Sequence, residues 1–311
     1  MSRMFEKIEV IVLPDHRDIA GAVADRIRVL INEKRLKGES TVLGLATGST
    51  PLGVYRELIR LHREEDLDLS DGGAMHEGAV STRIGLRGIP TAAEEVMVAR
   101  DVLLAELTGG RLHLCHLSTS TALDLVRTAK QRGLPVSCEV AAHQFVLTDE
   151  DVAGSNYDPN WKTNPPLRSA EEVETVLQAI YDGTVDAIVS DHEPHHSDEK
   201  ELDFSDAPFG IVGLETAVAL AIDRLVHGRV IGLMQLVRLM STRPAEIFSL
   251  PGGSLREGEP ADVTILDLRA LRSVDPASFQ SRAHNTPFSG MRLKGWPAAT
   301  IVNGEIVWRA K

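Results

Sequence analysis

Only two of the 311 residues are cysteine, Cys115 and Cys138, and both stand in apolar, strand-like runs. That scarcity excludes a disulfide framework and predicts reduced core thiols in a cytoplasmic protein. No apolar run approaches the roughly 20 residues of a membrane span. Nothing apolar backs the opening residues Met1 to Lys7 as it would in a secretory signal. Basic residues are short too: 33 Lys and Arg against 45 Asp and Glu, a net charge of -12. That balance argues against a grip on nucleic acid or on an anionic membrane. Repeats and low-complexity tracts are absent. What remains, 43% hydrophobic and 25% charged, suits one large soluble domain or two ordinary ones.

The stretch that organises the chain runs from Asp186 to His195. Small and apolar residues form a buried strand, and Asp191, His192, Glu193 and His195 follow at once. A carboxylate and imidazoles past the C-terminal end of a buried strand are where an α/β barrel keeps its chemistry. They suit a proton carrier and a substrate or metal contact; a solvated loop after a core strand fits the decapeptide equally well.

Periodicity predicts strands at 7–13 and 41–46, each followed by a helix, at 16–33 and from 51 to about 64. Between the second strand and its helix lies Thr47-Gly-Ser-Thr50, a turn aimed at a helix N-terminus. Such a turn either cradles a phosphate or merely caps a helix. Further on, helices are expected at 91–107, 121–132, 171–181, 213–226 and 233–239. Buried strands are expected at 112–117, 136–140 and 186–190, and strand-like runs at 261–266 and 299–308, the latter holding an Asn-Gly hairpin at 303 and 304. Strands alternating with helices predict parallel α/β architecture.

Seven stretches, from Gly73 to Gly78, Gly85 to Pro90, Leu112 to Thr119, Lys162 to Arg168, Asp191 to His195, Ala207 to Gly210 and Asn285 to Phe288, resemble in order the C-terminal part of bacterial dihydroorotase. The resemblance implies a zinc hydrolase of cyclic amides, interconverting dihydroorotate and carbamoyl-aspartate in pyrimidine synthesis. It implies His116 as a zinc ligand and Asp191 as ligand and base, carrying a proton to the leaving nitrogen. Asn164, His195 and the Phe209-Gly210 backbone would contact substrate. His113, on a strand, is expected to face away from His116 and to be structural. Two positions depart from the pattern: Glu193 stands where a small Ala is usual, and Ala142-His-Gln144 where Pro-His-His is common.

The run from Val42 to Ile59 resembles the start of glucosamine-6-phosphate deaminase, whose Thr-Gly-Ser-Thr loop lies in a sugar-phosphate site. Thr47, Gly48, Ser49 and Thr50 would then bind phosphate. Three parts follow: 1–65 deaminase-like, 66–250 a partial dihydroorotase barrel, 251–311 a β tail. The expected fold is α/β, an incomplete TIM-barrel-like piece joined to a Rossmann-like βαβα segment by fusion.

No His-x-His precedes His113, and no upstream Lys or Asp matches the family's bridging ligand. Of the implied metal set only His116 and Asp191 are expected to survive, so catalysis is expected to be impaired unless His62 or His143 rebuilds the ligation. Non-catalytic alternatives are a sugar-phosphate-binding module and a partner of aspartate transcarbamoylase; a homo-oligomer is a further expectation.

Overall fold

The computed structural model describes residues 23, 43–45 and 73–310. The chain divides into two compact units, 1–41 with 48–67 and 42–47 with 68–311. Every element named below belongs to the second.

Four parallel strands make its main sheet: β1 (Leu43–Leu45), β4 (Leu112–Leu114), β5 (Val136–Ala141) and β6 (Ala187–Val189), hydrogen-bonded in that order. Register pairs His113 with Ser137 and Glu139 with Ala187. Strand side chains alternate between faces, and here the two faces differ in chemistry. Leu112, Leu114, Val136, Cys138, Val140 and Ile188 join the apolar core with Leu123, Val126, Val176 and Ile180 from the helices Ser120–Gln131 and Ala170–Tyr181. The alternate positions His113, Ser137 and Glu139 are also buried, so the opposite face of the same sheet is polar.

The expected helices are found at Ala92–Thr108, Ser120–Gln131 and Ala170–Tyr181. Those expected at 213–226 and 233–239 begin as Ala217–Ala221 and Leu233–Val237 and then widen into π-helix at Ile222–His227 and Arg238–Thr242. A parallel two-stranded pair, β2 (Met75–His76) with β3 (Gly88–Ile89), was not anticipated. Two residues per strand leave no periodicity to read.

The tail is an antiparallel sheet of β7 (Val263–Ser273), β8 (Arg292–Val302) and β9 (Glu305–Arg309). The Asn-Gly signal is accurate: Asn303 and Gly304 both take left-handed backbone, with φ of 50° and 81°, as a two-residue hairpin demands. Of the Rossmann-like opening, Val23 and Leu43–Leu45 lie within the described residues, and the strand Leu43–Leu45 pairs with β4. Among the described residues no helix is long and apolar enough to cross a membrane.

Candidate active site

Three side chains stand at equivalent places past three consecutive parallel strands. β4 ends at Leu114 and His116 follows two residues on; β5 ends at Ala141 and is followed likewise by His143; β6 ends at Val189 and is followed by Asp191. Because the strands are parallel and adjacent, all three residues stand at the C-terminal end of the sheet. His116 and Asp191 both take left-handed backbone, with φ of 57° and 47°, which side chains bearing a Cβ rarely adopt and which collects at functional sites. His116 Nε2 lies 3.5 Å from Asp191 Oδ1 and 3.4 Å from Glu139 Oε1.

Glu139 joins two histidines. Its Oε2 accepts from His113 Nε2 at 3.0 Å, and His113 Nδ1 meets Ser137 Oγ at 2.8 Å. His113 is fully buried with both ring nitrogens engaged, which fits a structural role. It does not, however, face away from His116. Strand β4 stops at Leu114, and the left-handed turn at His116 breaks the alternation, so both imidazoles reach the same carboxylate. His113, Cys115 and Glu139 also lie close enough to share a cation, but burial and the neighbouring Glu139 push the Cys115 thiol well up, which disfavours the thiolate a metal requires.

His143 occupies a single 3₁₀ turn, Ala142–Phe145. Gln144 fixes that turn: its Oε1 accepts from Ala141 N at 2.6 Å and its Nε2 donates to the His116 carbonyl at 2.9 Å. His143 is buried, and among the described residues its Nε2 has no hydrogen-bond partner. Burial lowers its pKa to about 4; Asp191 opposes that shift and His116 reinforces it. The imidazole is therefore neutral at pH 7, with an orphaned ring nitrogen beside the two residues expected to hold metal.

The loop after Asp191 is pinned from the far side. His192 pairs with Ile211 as a parallel bridge, and Glu193 N donates to Ile211 O at 2.8 Å. Asn285 spans the two segments, donating to Glu193 O at 2.9 Å and Gly210 O at 3.1 Å and accepting from His195 N at 3.2 Å. Gly213 permits this approach, since a Cβ there would fall 2.0 Å from Ser190 O. Two buried lysines hold the Phe209-Gly210 turn. Lys162 Nζ donates to the carbonyls of Ser205 and Ala207 at 2.9 and 2.6 Å and lies 4.5 Å from the Phe209 ring centre. Lys200 Nζ donates to Pro159 O at 3.1 Å and Pro208 O at 2.7 Å. Burial lowers both lysines to about 8.

A sequence profile described as the amidohydrolase family matches residues 58–307. The dihydroorotase of Pelotomaculum thermopropionicum is 53% identical over 243 residues, 78% of this chain and 56% of that protein. The dihydroorotase of Halalkalibacterium halodurans is 45% identical over 275 residues, 86% of this chain and 64% of that protein. The chain belongs to the amidohydrolase family. Among solved structures, an L-hydantoinase (dihydropyrimidinase) from Arthrobacter aurescens superposes with a TM-score of 0.73 at 27% identity, covering 92% of this chain and 60% of that one. The chain thus spans 56% and 64% of the length of the two dihydroorotases. The matched range begins at residue 58, inside the segment 1–65 expected to resemble glucosamine-6-phosphate deaminase, and these comparisons lend that resemblance no support.

Within this amidohydrolase fold the expected residues divide. His116 and Asp191 come together, and Phe209 and Gly210 are tied to the Asp191 loop through Asn285. Asn164 sits on the segment that carries Lys162, without a side-chain hydrogen bond or ion pair among the described residues. His195 lies apart, its Nδ1 3.3 Å from Glu199 Oε2, on a cavity of about 910 Å³ that Lys200, Arg282 and Asn285 also line. Thr47, Gly48, Ser49, Thr50 and His62 lie outside the described residues. The residue that sequence reasoning undervalued is His143. Its burial and its Nε2, partnerless among the described residues, make His143 a third candidate donor beside the expected pair His116 and Asp191. The available signal was its distance from the end of a strand, the same as for the other two.

Proposed function

We propose that this chain carries a zinc hydrolase site for cyclic amides. The observation behind the proposal is that His116, His143 and Asp191 each follow one of three adjacent parallel strands by two residues, with His116 Nε2 3.5 Å from Asp191 Oδ1. Two imidazoles and a carboxylate are donors that zinc accepts, and three protein ligands are the number a catalytic zinc site uses. The orphaned Nε2 of His143 fits that role, since a buried polar atom without a partner is costly and a ligand removes the cost. His143 is also neutral at pH 7, the state a metal ligand needs.

Zinc, when bound, polarises an amide carbonyl and acidifies a water. The protein's own residues do the rest. Asp191 takes up a proton and returns it to the leaving ring nitrogen. Glu139 Oε1 lies 3.4 Å from His116 Nε2, the same nitrogen that faces Asp191, and so stands on the metal side of that ring. The Phe209-Gly210 backbone, tied to the Asp191 loop through Asn285, would contact the ring. The names of the relatives favour reversible opening of a dihydropyrimidine ring as the reaction. His116, His143 and Asp191 would hold a single zinc, which would supply the hydrolytic chemistry with turnover below that of a fuller donor set.

The test is hydrolysis of dihydroorotate and dihydrouracil by purified protein with zinc, beside Asp191→Asn. The expected result is zinc-dependent turnover that falls at least ~100-fold in the variant, with about one zinc bound per wild-type chain. Equal rates in the two proteins would overturn the proposal.

A further inference from the structure

Glu139 is a buried carboxylate, 7% exposed, with no fixed cation to neutralise it. Among the described residues its ion-pair partners are His113 and His116 alone. Asp191, its side chain 10% exposed, pairs among those residues only with His116. Two shielded carboxylates therefore face the same imidazole with no lysine or arginine beside them. A buried charge left uncompensated is strongly unfavourable.

The distances to His116 suit a shared metal better than hydrogen bonds. Glu139 Oε1 and Asp191 Oδ1 stand 3.4 and 3.5 Å from one nitrogen, His116 Nε2. A ring nitrogen offers one proton or one lone pair, so it cannot serve both carboxylates. Both separations also exceed the roughly 2.7–3.2 Å of an N–H···O bond. Donors held by one tetrahedral zinc at about 2.0–2.2 Å stand about 3.3–3.6 Å from one another. The second oxygen of Glu139 is anchored already. Its Oε2 accepts from His113 Nε2 at 3.0 Å, and Ser137 Oγ meets His113 Nδ1 at 2.8 Å. Carboxylates that ligate metals are commonly hydrogen-bonded in this way by a buried neighbour.

We propose that Glu139 is itself a zinc ligand, a second carboxylate beside the donors His116, His143 and Asp191, and that His113 positions it. The proposal rests on the zinc reading above and deepens it. Two carboxylates balance the two charges of zinc, which removes the buried excess.

Zinc affinity, by competition with a chromophoric chelator, and the visible absorption of cobalt-saturated protein test this in the wild type, Glu139→Gln, His113→Gln and Asp191→Asn. Melting of the metal-free proteins accompanies both. Glu139→Gln is expected to bind zinc at least ~100-fold more weakly, beyond the ~10–100-fold typical of a residue behind a ligand. Its cobalt band should differ from the wild type even at saturation. His113→Gln should weaken zinc by about 10–100-fold and leave the saturated band unchanged. Without metal, Glu139→Gln should melt no lower than the wild type, because it removes an uncompensated buried charge. A saturated band in Glu139→Gln identical to the wild type would overturn the proposal. So would a metal-free Glu139→Gln protein that melts lower or fails to fold, the mark of a structural ion pair. In either case, zinc bound by the wild type and lost in Asp191→Asn would keep the hydrolase reading. A wild type that binds no zinc would end both.

Discussion

Single residues decide whether this site assembles. His116 and Asp191 hold left-handed backbone, and each such residue costs on the order of 1 kcal/mol or more. The strain persists because neighbours fix both ends: Gln144 bonds the His116 carbonyl, and the Asp191 loop is tied to Ile211 and Asn285. Gly213 is the contact on which that second tie depends. Gly213→Ala places a Cβ 2.0 Å from Ser190 O, next to Asp191, and the backbone must move. The expected cost is about 1–3 kcal/mol, read as a lower urea midpoint with unchanged slope. A midpoint within error of wild type would show that the loop yields freely. At this scale the sequence was readable where chemistry and strand position coincide, as for Asp191 and His116. It was harder to read at His143, because attention fell on the altered neighbour Gln144, and the turn that aims His143 becomes visible only with its hydrogen bonds.

Among elements, one buried carboxylate connects the helix Ala92–Thr108 to the site. Glu94 accepts from the backbone and hydroxyl groups of Ser118 and Thr119 and pairs with Arg168 Nη2 at 3.3 Å. It thereby fixes the chain just beyond His116, ahead of the helix Ser120–Gln131, whose first N–H donates to Glu172 instead. Arg168 is itself buried, with further contacts to Ser118 Oγ and His76 Nδ1. Glu94→Ala would leave a buried guanidinium without its carboxylate, and removing one partner of such a pair typically costs about 3–5 kcal/mol. We expect a loss of that order by chemical denaturation, accompanied by weaker zinc binding as His116 loosens. Loss of zinc affinity without loss of stability would show that Glu94 acts elsewhere. The elements themselves were largely legible. Helices above ten residues and apolar strands announce their period, and Asn303-Gly304 announces its turn. The pair β2 and β3 and the shift into π-helix after Ala221 carry no period of their own, since tertiary contacts determine both.

At the scale of the molecule, the exposed edge of the tail sheet sets the behaviour in solution. Strand β9 is exposed along its whole length, with Ile306, Val307 and Trp308 all open to solvent, and β7 exposes Ile265 and Leu271. An apolar edge strand with free backbone groups is a template for pairing with another chain. The net charge of -12 opposes that pairing through mutual repulsion, which salt screens within about 10 Å at 0.1 M. Light scattering of the wild type is therefore expected to rise with protein concentration and to rise further with added salt. Replacing Ile306 and Val307 by Lys adds two positive charges, taking -12 to -10, so net repulsion between molecules weakens. If the edge drives association, scattering should nevertheless fall in the double variant, because lysine on an edge strand blocks strand addition. Stability should stay within about 1 kcal/mol, since both side chains are exposed and each such change is usually within ±0.5. Scattering that increases in proportion to the lost charge would instead place control of association in the overall electrostatics and not in β9.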